Sequence, residues 1–226
     1  MSAGVDVGAT GGAGRSAREE VLARLRSARD AGAPRLGVPP VPREYRRVGE
    51  LAPGGAEVVD RLAETVADYR GTVHRAATAD DVAGIVATIL DGAASIVVPP
   101  GLPTAWTDRL TARVRRDDPP LSVPELDTVD AVLTGAAVAI ADTGTFVLAA
   151  REPDQGRRAI TLVPDHHVCV LDAAAVVSSV PEALARLDPS GPLTFVSGPS
   201  ATSDIELDRV EGVHGPRRLD VVLVGP

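Results

Sequence analysis

The stretch Thr194–Pro216, TFVSGPSATSDIELDRVEGVHGP, decides how this chain is read. An apolar run (Leu193, Phe195, Val196) stops at Ser197-Gly198-Pro199. Six of the ten residues Ser197–Glu206 are Ser, Thr, Gly or Pro. An acidic-apolar segment follows, then a second glycine turn, Gly212-Val213-His214-Gly215-Pro216. A strand that ends in a small-residue loop and opens a helix turns free backbone N–H groups toward one spot, with the helix dipole behind them. Such a spot favours an anion, and His214, Arg217 and Arg218 return toward the same end of the fold. The same spacing also fits an ordinary strand-to-helix connection with Ser or Thr as N-cap. Asp204 and Glu206 are accounted for by dipole complementarity at a first helical turn.

Outward from this stretch the chain alternates strands and helices. Downstream, Leu219–Val224 (LDVVLV) reads as a buried strand. Upstream, Pro181–Leu187 reads as a helix with proline at its first position, and Ala173–Val177 as a shorter one. Val168–Leu171 (VCVL) and Ala159–Val163 (AITLV) read as strands flanking Pro164-Asp165-His166-His167. Ala137–Ala141 and Phe146–Ala149 are apolar strands joined by Asp142-Thr143-Gly144-Thr145, close to a hairpin signature. Trp106, Leu110 and Val114 lie four apart, which predicts a helix. Ser95–Val98 is a buried strand stopped by Pro99-Pro100-Gly101. Thr78, with Asp81 at the box position, caps a helix carrying Val82, Ile85, Val86, Ile89 and Leu90. Gly71–Ala76 reads as a strand, and Val58, Val59, Leu62, Val66 and Tyr69 fit a helix. This texture predicts an α/β fold: a three-layer α/β/α sandwich around a mostly parallel sheet, with ligands outside the carboxyl ends of its strands. The α/β domain is expected over residues 56–226. Residues 15–55 hold a helix starting at the capping box Ser16-Ala17-Arg18-Glu19 and then a proline-rich linker. Residues 1–14, rich in Gly and Ala, are expected to be disordered.

The totals narrow the function. Of 226 residues 44% are hydrophobic but only 2% aromatic, so the core is aliphatic. A net charge of −8 and a pI near 5.0 argue against nucleic-acid or membrane-surface partners, which need a dense basic face. The lone Cys169 excludes an internal disulfide and a cysteine-held metal or iron–sulfur cluster within this chain, and alternates with Val168 and Val170 as a small buried hydrophobe. All 23 basic residues are arginine, which removes lysine Schiff-base chemistry and the P-loop lysine. No run of apolar residues is long enough to span a membrane, and the first twenty residues lack the pattern of a secretory signal; a cytoplasmic location is expected.

Three clusters are candidates for chemistry. Asp142 with Thr143, Gly144 and Thr145 places a carboxylate and two hydroxyls at a strand end, or else forms a turn whose Asp bonds its own backbone. The flanking strands read as buried, so an Asp between them needs a partner. His166 and His167 are adjacent, so on a strand they point to opposite faces and only one faces a cleft; no third ligand accompanies them, and no metal is expected. One of them is suited to acid–base work or to hydrogen-bonding a ligand. His214, between two glycines, either approaches a ligand or serves a tight turn. Arg157 and Arg158 either neutralise an anion or are solvated loop residues. The assembled expectation is Asp142, His166 and His214 as catalytic residues. Thr143, Gly144, Thr145, His167, Ser197, Gly198, Ser200, Thr202 and Arg217 would bind a small anionic ligand.

The segments AIADTGTFVL, ITLVPDHHVCV, VPEALARL, PLTFVSGPSATSDIE and GVHGPRRLDVVLV, in that order, resemble the lactate utilization protein C family, the LUD-domain proteins. The resemblance is strong from about Val129 to Val224 and weak from about Ser16. It implies the fold of ribose-5-phosphate isomerases, glucosamine-phosphate deaminases and CoA transferases. It also implies a part in oxidising L-lactate to pyruvate with two partner proteins, one carrying iron–sulfur clusters. This chain would be the cluster-free member, binding no cofactor itself. Many relatives have Glu at the position of Asp142 and Arg at the position of Ala201, so a role needing the longer acid or that cation is in question; Arg217 or Arg218 could substitute for the latter. Two other readings stay open: a stand-alone transferase or isomerase on a CoA-linked or phosphorylated substrate, with Asp142 as the nucleophile in the transferase case, and a non-catalytic scaffold for iron–sulfur partners.

Overall fold

A computed structural model describes residues 16–32, 40–202, 210–211 and 215–225, with residues 201, 202, 210 and 211 described by their backbone only. The chain divides into two compact units between Tyr45 and Arg46. In the first, α1 (Ala17–Asp30) starts where the sequence placed it. The Ser16 hydroxyl accepts from the Glu19 N–H at 3.3 Å, and the Glu19 carboxylate accepts from the Ser16 N–H at 2.9 Å.

The second unit runs α2 (Ala56–Asp68), β1 (Thr72–Ala76), α3 (Val82–Ile89), β2 (Ser95–Val98), β3 (Arg113–Arg116), α4 (Val123–Leu126), β4 (Ala131–Thr134), β5 (Val138–Ile140), β6 (Thr145–Ala149), β7 (His166–Asp172), β8 (Val176–Val177), α5 (Val180–Arg186), β9 (Leu193–Val196), β10 (Ala201–Thr202), β11 (Val210–Glu211) and β12 (Arg218–Val224). Six strands form a fully parallel sheet in the order β1-β12-β7-β4-β2-β3. A second sheet, β8-β5-β6-β9, is mixed, with antiparallel pairing around the hairpin. β10 and β11 pair antiparallel as a ribbon.

Strand periodicity assigns the faces. On one face of the parallel sheet, Val168, Val170 and Val222 pack against Val82, Val86 and Ile89 of α3. On the other, Cys169, Leu171, Leu219, Val221 and Leu223 meet Val58, Val59, Leu62 and Val66 of α2 together with Phe146 and Leu148 of the small sheet. The far side of the small sheet, Val138, Ile140, Val147 and Val177, is covered by Ala183 and Leu187. The architecture is therefore the expected α/β/α sandwich, with an additional sheet inserted on one side. Cys169 is fully buried, as its alternation implied, and burial raises its thiol well above the ordinary range.

Four expectations about elements fail. Trp106 closes a short 3₁₀ turn (Thr104–Trp106), and Val114 lies in β3, paired in parallel with β2. All three apolar residues still pack into one cluster, so their spacing registered burial rather than a helix. Residues 158–161 form a 3₁₀ turn instead of a strand, burying Ile160 among Val97, Leu126, Val129 and Val132. Ala173–Ala175 is likewise a 3₁₀ turn, followed by the two-residue β8. After the Ser197–Ser200 loop the backbone enters the ribbon strand β10 rather than a helix, so the helix-dipole argument for an anion falls.

Candidate functional site

At the amino ends of β7 and β12, a cavity of about 270 Å³ opens beneath the loop Ser197–Ser200. Its floor is His167 and Leu219, the second residues of their strands and partners in register. Thr194, Phe195 and Val196 of β9 form a wall, Gly215 and Pro216 another, and Arg158 and Thr161 bring polar groups. This placement corrects the expectation of a site at the carboxyl ends. A separate depression there is lined by Trp106, Asp154, Asp172 and Val224.

His167 is 2% exposed, and its Nε2 lies 2.8 Å from the Thr134 Oγ1. Its ring meets that of Phe146 edge-on, with centroids 5.7 Å apart. Burial, with the neighbouring charges of His166 and Arg158, pushes its pKa down to about 3, so the imidazole is neutral near pH 7. Arg158 is the cation among the described lining residues, and its Nη1 donates to the Thr161 carbonyl at 3.2 Å. A neutral imidazole, a guanidinium and loop hydroxyls form a cavity that can hydrogen-bond and charge-balance a small anion.

The loop is held by hydroxyls and glycines. Thr145 Oγ1 lies 2.7 Å from Ser197 Oγ and 2.7 Å from Thr143 Oγ1, linking the hairpin turn to the cavity rim. The Ser200 N–H donates to the Pro216 carbonyl at 2.7 Å, tying the two glycine turns together. Gly198 has φ +82°, and a Cβ there would stand 2.7 Å from the Tyr69 carbonyl oxygen at the end of α2, so only glycine fits without a shift.

The structure therefore gathers part of the expected set. His167, Ser197, Gly198 and Ser200 line the cavity, and Thr143 and Thr145 reach it through hydrogen bonds. Gly144, at φ +59°, shapes the hairpin turn against Thr65. Asp142 is elsewhere: it is exposed and lines a second depression with Arg61 and Ser178, so the buried, partnered carboxylate the strands suggested is not formed. His166 points to the opposite face of the sheet, where its Nε2 lies 2.7 Å from Asp220, consistent with strand alternation. Arg217 lies 3.5 Å from Asp165 and lines another surface depression. His214 and the side chain of Thr202 lie outside the described residues.

Sequence reasoning missed Thr161, hidden by the false strand, and Asp220. That carboxylate is fully buried and takes hydrogen bonds from His74 Nε2 at 2.7 Å, His166 Nε2 at 2.7 Å and Arg218 Nε at 2.9 Å. A lone acid inside the apolar run LDVVLV was the available signal, since a buried charge demands partners. Of the two loop arginines, Arg157 is instead a clamp on the buried Asp117, with Nε 2.6 Å from Oδ2 and Nη2 3.0 Å from Oδ1.

Fold and cavity together define an α/β sandwich protein with a half-open pocket of mixed polar and apolar lining under a Ser-Gly-Pro-Ser loop. Residues 122–224 match the LUD domain. The chain is 48% identical over 174 residues to the lactate utilization protein C of Deinococcus radiodurans, covering 75% of this chain and 81% of that protein. It is 37% identical over 105 residues to the lactate utilization protein C of an Exiguobacterium species, a match covering 42% and 44% of the two chains. The crystal structure of a DUF162 family protein from Deinococcus radiodurans superposes with a TM-score of 0.64 at 39% identity, over 78% of this chain and all of that one. The chain belongs to the LUD-domain family of lactate utilization C proteins. Among the described residues, no helix is long and apolar enough to cross a membrane.

Proposed function

We propose that this chain is the cluster-free, cytoplasmic subunit of a system oxidising L-lactate to pyruvate, and that its cavity holds a small carboxylate. The observation that carries the reading is the joint presence of Arg158, Thr161 and a neutral His167 in one cavity of a chain whose relatives are named for lactate use. Arg158 would pair with the ligand carboxylate. His167, fixed through Nε2 by Thr134, would contribute hydrogen bonding without adding charge. The single, buried Cys169 supports leaving iron–sulfur chemistry to a partner protein.

Deleting the gene should abolish growth of the host on L-lactate while sparing growth on pyruvate. Unchanged growth in a host lacking a second copy of the gene would refute the reading. With purified protein, Arg158→Gln should weaken pyruvate or lactate binding about tenfold, measured by calorimetry. A transferase working through Asp142 is disfavoured, because that carboxylate stands outside the cavity. A non-catalytic scaffold would show partner capture without ligand binding in the cavity.

A further inference from the structure

The Asp142 turn carries a second depression, of about 320 Å³, lined by Arg46, Glu50, Leu51, Arg61, Asp142 and Ser178. Its two arginines and two carboxylates balance in number but are not all paired with one another. Arg46 pairs with Glu50 at 2.9 Å, but among the described residues Arg61 reaches only Glu64, on its own helix, at 3.6 Å. Among the described residues, the Asp142 carboxylate has no ion-pair partner at all. The elements that carry these groups are nevertheless tied together by two hydrogen bonds. The Thr65 hydroxyl, one helical turn beyond Arg61, donates to the Ala141 carbonyl at 2.8 Å, and the Asp142 N–H donates to the Ser178 carbonyl at 3.0 Å. A guanidinium on α2 and a carboxylate on the hairpin turn thus share one wall without meeting.

Ser178 adds an independent observation. It is 2% exposed and lines the depression, yet among the described residues nothing hydrogen-bonds its hydroxyl. A buried hydroxyl left without a partner is costly, and such groups in native proteins call for an explanation. Gly49 brings the segment 46–51 directly against Ser178, where a Cβ would stand 2.3 Å from the Ser178 Cβ.

From this we infer that the Asp142 turn is a second binding site, distinct from the cavity under the Ser197–Ser200 loop, and that it takes a small zwitterion of the α-amino-acid type. The ligand ammonium pairs with Asp142 and donates to the Ser178 hydroxyl, and its carboxylate pairs with Arg61. A simple anion would face Asp142 and Glu50, and a simple cation would face Arg46 and Arg61, so neither alone balances the site.

The test is a titration of the ¹⁵N-labelled full chain with L-alanine and L-serine, followed at the amides around Asp142 and Ser178. Propionate and ethylamine serve as single-charge controls. The expected result is saturable shifts confined to this turn for the amino acids, with each control binding at least about tenfold more weakly. Asp142→Asn and Arg61→Gln should each weaken amino-acid binding by about tenfold, and Ser178→Ala by a smaller factor. Arg158→Gln, in the other cavity, should leave it unchanged. Absence of saturable shifts, equal response to propionate, or indifference to Asp142→Asn and Arg61→Gln would each overturn the inference. Failure of the lactate reading would not touch it, because none of these probes uses that cavity.

Discussion

His167 and Asp220 sit on neighbouring strands and opposite faces of the same sheet, and they make acid sensitivity a residue-level property. His167 is neutral in the fold, with a pKa near 3 against an ordinary 6.5. Between those values the unfolded chain binds a proton that the native chain refuses, so stability rises with pH across that window. By pH 3 this costs on the order of 4 kcal/mol. Asp220 works lower. Hydrogen bonds from His166 and His74, then the charge of Arg218, outweigh its burial and hold its pKa at about 2 against 3.8. Its contribution is fully present above 3.8 and is lost as pH falls through 2. Urea titrations from pH 7 to pH 3 should therefore show a steep loss of stability, and His167→Gln should flatten it. Asp220→Asn should cost about 3 kcal/mol near pH 7, because the charge and one of the two acceptor oxygens shared by two imidazoles and a guanidinium are lost.

At the scale of elements, the β5–β6 hairpin and the Ser197–Ser200 loop behave as one piece. The chain Thr143–Thr145–Ser197 joins them through hydroxyls on a half-buried, a buried and an exposed residue in turn. Thr145→Val keeps the shape of the side chain but leaves two hydroxyls unpaired, which should cost about 1–2 kcal/mol. Hydrogen exchange should then speed up at residues 197–200, with α3, on the far side of the sheet, unaffected. The hairpin was legible from Asp-Thr-Gly-Thr between apolar runs, because turn chemistry is local. The β3 strand was not legible: Arg113–Arg116 becomes a strand because β2 offers a parallel edge, and helical spacing over Trp106, Leu110 and Val114 outweighed it in the sequence.

For the whole molecule, the decisive packing lies between the two sheets. Phe146, 1% exposed, meets Leu62 of α2 and Leu171 and Leu223 of the parallel sheet in one cluster. With aromatics only 2% of the chain, little else can fill that volume. Phe146→Ala should destabilise the protein by about 3–5 kcal/mol. That lowers Tm by roughly 10 °C in calorimetry. The same ring stacks edge-on against His167, so cavity binding should weaken in parallel.

The sequence alone determined the class of fold, the strands β1, β2, β7 and β12, the helices α2 and α3, and the opposite orientation of His166 and His167. All of these follow from local periodicity, caps and the two-residue repeat of a strand. The family was legible in the ordered series of loop motifs, which are short and contiguous. Only the tertiary structure decided which loops share a site. It separated Asp142 from Ser197 and Ser200, moved the cavity to the amino ends of the strands, and gave Asp220 its three donors. Those outcomes depend on register and on which faces of two sheets meet, and contacts between residues 54 or 146 positions apart leave no trace in local spacing.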